Sequence, residues 1–138
     1  MKYLLDTNVL SEAVKEAPNP CVLSLLQRHQ QRIATAAPVW HALHFGCQRL
    51  PPCRKREIIT TYLNSVVKPT IPILAYDESA AEWHSTVRAD LTSQGKMPAF
   101  VDGQIAAIAH VNGLILVTRN IDDFVVFPDL RLENWFEA

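Results

Sequence analysis

Apolar and polar positions alternate along the chain in a way that separates strand-like from helix-like segments. Tyr3, Leu4 and Leu5 form a short apolar run that ends at Asp6, with the polar pair Thr7 and Asn8 behind it. Residues 8–16 read as a short helix, broken by Pro18 and Pro20. Pro20 suits the first turn of a second helix over 20–30. Residues 32–36 (RIATA) are a strand candidate, and Pro38 opens a helix that runs to about Leu50. Val39, Leu43, Gly46 and Leu50 recur there at helical spacing and are expected to face the core, with Ala42 at the stripe's edge. Pro51 and Pro52 end that helix. A further one over about 53–66 carries Ile58, Ile59, Tyr62, Leu63 and Val66 as its apolar face.

Residues 69–76 (PTIPILAY) read as a strand, assigned to a sheet edge by Pro72 and closing on Asp77 and Glu78. The next helix, 79–93, carries Ala80, Trp83, Val87 and Leu91 on one face. Asp102 lies near the start of a helix rich in small apolar residues (Ile105, Ala106, Ile108, Ala109), stopped by Asn112 and Gly113. Residues 114–118 (LILVT) carry the most convincing strand pattern in the chain, followed by a polar loop at 119–124 and a last short strand near 130–135. Strands alternating with helices imply an α/β fold with a mostly parallel central sheet, in one domain spanning 1–138.

Ligands bind such sheets outside the carboxyl ends of the strands. The first strand delivers Asp6 and Asn8 to that edge; the strand at 114–118 delivers Asn120, Asp122 and Asp123. Asp102, near a helix start, is positioned to point into the same cleft. Each acid alone has a plainer explanation: Asp6 and Asp102 as helix caps, Asp122 and Asp123 as turn residues. Together they favour a site. Several carboxylates in one cleft repel each other unless a cation is present, and hard oxygen ligands suit Mg²⁺ or Mn²⁺. Carboxylates and divalent metal without a nucleotide loop point to phosphodiester hydrolysis. No GxxxxGK[ST], GxGxxG or GxSxG pattern is present.

Composition narrows this further. The chain has 138 residues, 49% apolar and 20% charged, as expected for an ordinary soluble globule. The net charge of −1 advertises no global basic field for nucleic acid. The local basic segment at 49–56 (RLPPCRKR) reads either as a solvated helix start or as a phosphate-contacting patch. No apolar run is long enough to span a membrane, and the N-terminus lacks a secretory signal pattern. Cys21, Cys47 and Cys53 show no CxxC spacing, so reduced thiols and a cytoplasmic location are expected. His41 and His44 lack a third ligand nearby in sequence and read as surface residues; Trp40, Trp83 and Trp135 read as packing residues.

At this point the motifs DTNVLSE (6–12), DGQIAAIA (102–109), LVTRNIDDF (116–124) and PDLRLENW (128–135) stand together. Over essentially the whole chain they resemble the PIN-domain ribonucleases, specifically the VapC toxins of bacterial toxin–antitoxin pairs. The resemblance implies a PIN-like three-layer α/β/α sandwich and Mg²⁺- or Mn²⁺-dependent cleavage of RNA, with a transfer or ribosomal RNA loop as the class of target. It also implies a homodimer, inhibition by a cognate VapB-type antitoxin, and contact with operator DNA only through that antitoxin. Matched position by position, Asp6, Asp102 and Asp123 are the implied metal ligands. Thr118 and Asn120 are polar support, and Asn8 orients the first acid or a metal-bound water. Arg49, Arg54, Lys55, Arg56 and Arg119 are candidate RNA contacts.

One position departs from the family pattern. Residues 37–46 read APVWHALHFG, with Ala42 where the family usually carries glutamate. A lone mismatch in an intact motif reads as an engineered replacement that spares an expression host, or as a naturally degenerate copy. Either way a carboxylate is missing, and activity is expected to be weakened. Two other functions compete. One is a catalytically inactive PIN-fold module that pairs with an antitoxin. The other is a haloacid-dehalogenase-type phosphatase, which wants a second Asp where this chain has Asn8.

Overall fold

The computed structural model describes residues 1–137. Its centre is a five-stranded parallel sheet in the order β3-β2-β1-β4-β5. In chain order the elements are β1 (Tyr3–Leu5), α1 (Thr7–Glu12), α2 (Pro20–Arg28), β2 (Ile33–Ala36), α3 (Ala37–Gln48) and α4 (Arg54–Tyr62). The last runs on through a π-helical stretch (Leu63–Val67) into α5 (Lys68–Thr70). Then follow β3 (Ile73–Leu74), α6 (Glu78–Ser93), α7 (Phe100–Val111), β4 (Ile115–Val117), α8 (Ile121–Phe124) and β5 (Leu132–Glu133).

The expected α/β architecture is thus observed, with parallel pairing throughout. β1 lies at the middle of the sheet, with Tyr3 paired to Ile33 on one side and Ile115 on the other. All three of its residues are buried, as a strand covered on both faces requires. Asp6 and the residues after Val117 therefore emerge side by side; Asp6 N–H donates to the Val117 carbonyl at 3.0 Å.

Several elements differ from the sequence pattern for identifiable reasons. The edge strand β3 is in its expected place but pairs over only two residues, because helical structure persists to Thr70. Pro72, which has no N–H to give, still accepts from Thr35 N–H at 2.9 Å. In α3 the inward stripe is Val39, Leu43 and Cys47; Gly46 is exposed, because the spacing of four was completed by Cys47. In the helix after it the π-helical stretch rotates the register. Leu63 and Val67 go inward while Ile58 and Val66, expected in the core, are exposed. On α6 His84 is buried alongside Ala80, Val87 and Leu91, and Trp83 is only half-buried. The segment 119–124, expected as loop, closes one helical turn at α8. Trp135 is 2% exposed and meets Tyr3 edge-to-face at 5.2 Å, a packing role as expected.

Candidate active site

Three elements bring their acids to one end of the sheet: Asp6 from the tip of β1, Asp102 from the first turn of α7, and Asp123 from α8. Asp6 is 6% exposed and is the N-cap of α1. Its Oδ1 accepts from Thr7 N–H at 2.8 Å, and its Oδ2 accepts from the Thr118 hydroxyl at 2.8 Å. The capping reading and the site reading of Asp6 therefore describe the same side chain.

Charge ties the three acids together. Burial pushes the Asp6 carboxyl above the usual aspartate range; the Thr7 and Thr118 hydrogen bonds pull against it, and the charge on Asp123 adds to it. Burial likewise pushes Asp102 up, reinforced by Asp123 and then by Asp6. The charge of Asp123 thus bears on both other acids. Asp123 itself is exposed, and its backbone N–H donates to the Asn120 carbonyl at 3.1 Å.

The polar residues around them hold backbone. Thr118 is fully buried; its hydroxyl gives its proton to Asp6 and accepts from Asn120 N–H at 3.0 Å. Asn8 Oδ1 accepts from Arg119 N–H at 3.1 Å, so this side chain staples the start of α1 to the end of β4. Glu12, the last residue of DTNVLSE, faces inward, accepting from Asn19 N–H at 2.8 Å and pairing with Lys15 at 3.0 Å. Its role is to fix the entry to α2.

Around the acids, Asp102, Asp122 and Asp123 line an opening of about 330 Å³ with Lys96, Pro98 and Val126. Lys96 is a cation at the site that sequence reasoning missed; it sits in a loop with no motif around it. On the other side Arg119, Asn120, Asp122, Asp123 and Asn134 line a polar cavity of about 520 Å³. The Arg119 guanidinium lies 4.7 Å from the Phe136 ring centroid. The remaining basic candidates lie elsewhere. Arg49 stands over Phe45 at 5.5 Å, and Arg56 lines a separate cavity with Pro52, Cys53 and Glu57. Arg54 and Lys55 line a cavity of about 730 Å³ with Ser11, Val14 and Lys15, between α1 and α4. Ala42 is exposed and shares a cavity of about 200 Å³ with Thr7, Ser11, Gly46 and Tyr62. It therefore faces Thr7 and Ser11 of α1 across that cavity.

Oxygen donors alone, partly buried and mutually repelling, fit a hard divalent cation. Among the described residues no three acids, histidines or cysteines already stand close enough to hold one. Asp6 is already engaged by the Thr7 N–H and the Thr118 hydroxyl.

The chain is also similar to known proteins over nearly its whole length. Ribonuclease VapC2 of Haemophilus influenzae is 31% identical over 136 residues, covering 98% of both chains. The tRNA(fMet)-specific endonuclease VapC of Shigella flexneri is 29% identical, again over 98% of both. VapBC2 of Rickettsia felis, solved bound to a DNA fragment from its promoter, superposes with a TM-score of 0.83 at 26% identity, covering 98% of this chain and 99% of that one. The PIN-domain family model matches residues 3–129, and on a fold and acid arrangement of this kind the chain belongs to the PIN-domain family, as a homologue of its VapC ribonuclease toxins.

Proposed function

We propose that this chain is the toxin of a toxin–antitoxin pair, an endoribonuclease that hydrolyses RNA phosphodiesters when Asp6, Asp102 and Asp123 hold Mg²⁺ or Mn²⁺. The observation that carries the reading is the delivery of Asp6, Asp102 and Asp123 to the carboxyl end of one parallel sheet, by the tip of β1, the first turn of α7 and α8. When bound, a divalent ion there supplies charge stabilisation at the phosphoryl group and lowers the pKa of water. The chain's own residues prepare for it. Thr118 and the Thr7 N–H fix the Asp6 carboxylate in one orientation. Asn8 fixes the strand end from which Arg119 and Asn120 project. Lys96 and Arg119 flank the acids and are the cations best placed to hold the neighbouring phosphates of an RNA.

Ala42 is the missing part. A glutamate in its place would extend beside Thr7, towards Asp6. Its loss is expected to cost about 10–100-fold in metal affinity or activity, the scale of outer ligand losses. The partners that follow from the homologues are a VapB-type antitoxin, a second copy of this chain, and promoter DNA reached only through the antitoxin. The RNA is a single-stranded loop, and the naming of the Shigella homologue favours a transfer RNA over a ribosomal one. No helix among the described residues is long and apolar enough to cross a membrane, and the cytoplasm, where such RNAs are found, is the proposed location.

The test is RNA cleavage by Ala42→Glu with Mg²⁺ or Mn²⁺. Cleavage that appears with the substitution and is lost on adding Asp6→Asn supports the reading. The second reading, an inactive antitoxin-binding module, is favoured by Ala42 itself. It predicts tight antitoxin binding with no cleavage even by Ala42→Glu.

A further inference from the structure

We propose that His84 is a positioning residue for the acid site: its buried ring, held by Tyr76 and wedged against Gly103 and Phe100, seats the first turn of α7 and so sets where Asp102 stands. The inference rests on the reading of Asp102 as a metal ligand.

The first turn of α7 has no side-chain cap. Its N-cap is Ala99, which offers the turn carrying Asp102 no side-chain hydrogen bond. Its placement falls to packing, chiefly against α6. His84, 3% exposed, projects from α6 onto that turn. A Cβ at position 103 would collide with the ring, lying 2.8 Å from Cδ2, 2.9 Å from Cε1 and nearer still to Nε2. Only glycine permits this approach. On the other side of Asp102, the Phe100 ring lies 4.9 Å from the His84 ring. Arg88, one turn along α6, stands 5.1 Å over the same phenyl ring. His84 therefore touches the residue after Asp102 and the residue two before it.

The ring is itself held. Its Nδ1 is 2.8 Å from the Tyr76 hydroxyl, which comes from the segment between β3 and α6. Burial, and then Arg88, push the imidazole below the usual histidine range, so it packs as a neutral ring. The run from sheet edge to Tyr76, His84, the α7 turn and Asp102 is continuous.

The experiment measures Mn²⁺ affinity by electron paramagnetic resonance, with melting curves on the same samples, at a temperature where every variant is folded. Full-length parent chain, His84→Ala, Tyr76→Phe and Asp102→Asn are compared. Val22→Ala, a cavity made in α2 under none of the acids' own elements, controls for general destabilisation. The expected result is a loss of about 10–100-fold in Mn²⁺ affinity for His84→Ala, a smaller loss for Tyr76→Phe, and parent affinity for Val22→Ala. Should His84→Ala fail to fold, Tyr76→Phe, which keeps the ring and deletes one hydroxyl, decides alone. Parent affinity in His84→Ala and Tyr76→Phe beside a loss in Asp102→Asn would overturn the positioning role and leave the metal site standing. Parent affinity in Asp102→Asn would remove the metal reading of Asp102, and this inference with it.

Discussion

The Thr118 hydroxyl donates to Asp6 Oδ2 at 2.8 Å, across 112 residues of chain and between the tips of adjacent strands β1 and β4. Thr118 is fully buried and also accepts from Asn120 N–H. One hydroxyl thus fixes both a carboxylate and the backbone that leads to Asp123. Thr118→Val keeps the shape and deletes the hydroxyl. It leaves the buried Asp6 Oδ2 without that partner, a cost of about 1–3 kcal/mol, while the Asn120 N–H, on an exposed residue, turns to water. Chemical denaturation should show the loss, and Thr118→Ser should recover most of it.

Asp6 and Asp102 both hold their protons more tightly folded than the ordinary aspartate value of 3.8. Stability from a raised carboxyl is fully present below that ordinary value and is lost as pH rises through the folded one. Asp102→Asn removes the Asp102 share. The melting temperature of the variant minus that of the parent should therefore grow as the pH rises above the ordinary aspartate value of 3.8 in metal-free buffer. Added Mn²⁺ should raise the parent's melting temperature increasingly as the pH rises, because binding must displace the proton.

Glu12 carries the opposite sign. The Asn19 N–H, then Lys15, hold its carboxyl below the ordinary value of 4.5. Its contribution is present above that value and lost as pH falls through the folded one. Glu12→Ala should lower the melting temperature at neutral pH, and the difference should shrink towards zero in acid.

Trp135 is buried against Tyr3 and donates to Glu133 Oε1 at 3.1 Å. It closes the β5 side of the sheet. Trp135→Ala should destabilise the fold by about 3–5 kcal/mol, measurable by urea denaturation. Trp135→Phe, which keeps the edge contact with Tyr3, should cost less.

The sheet and its acids were legible because their signals are local. Tyr3–Leu5 and Ile115–Val117 are uninterrupted apolar runs ending in acid or polar tips, and the rule that ligands sit at strand ends did the rest. What stayed hidden depends on neighbours that no short window contains. A π-helical register change turned Val66 outward and Val67 inward. His84 was invisible because its partners, Tyr76, Phe100 and Gly103, meet only once α6 lies on α7. Lys96 sits in a loop with no periodicity. Asn8 was expected to orient an acid or a water; its oxygen takes the Arg119 N–H, a contact 111 residues away in sequence that no short window shows. Of the five basic candidates, Arg119 lines a cavity with Asp122 and Asp123.

Anomalous scattering from a crystal grown with Mn²⁺ tests the account most directly. The prediction is a peak touching carboxylate oxygens of Asp6, Asp102 and Asp123, absent from Asp6→Asn crystals grown alike. Well-ordered acids with no peak between them at saturating Mn²⁺ would contradict it.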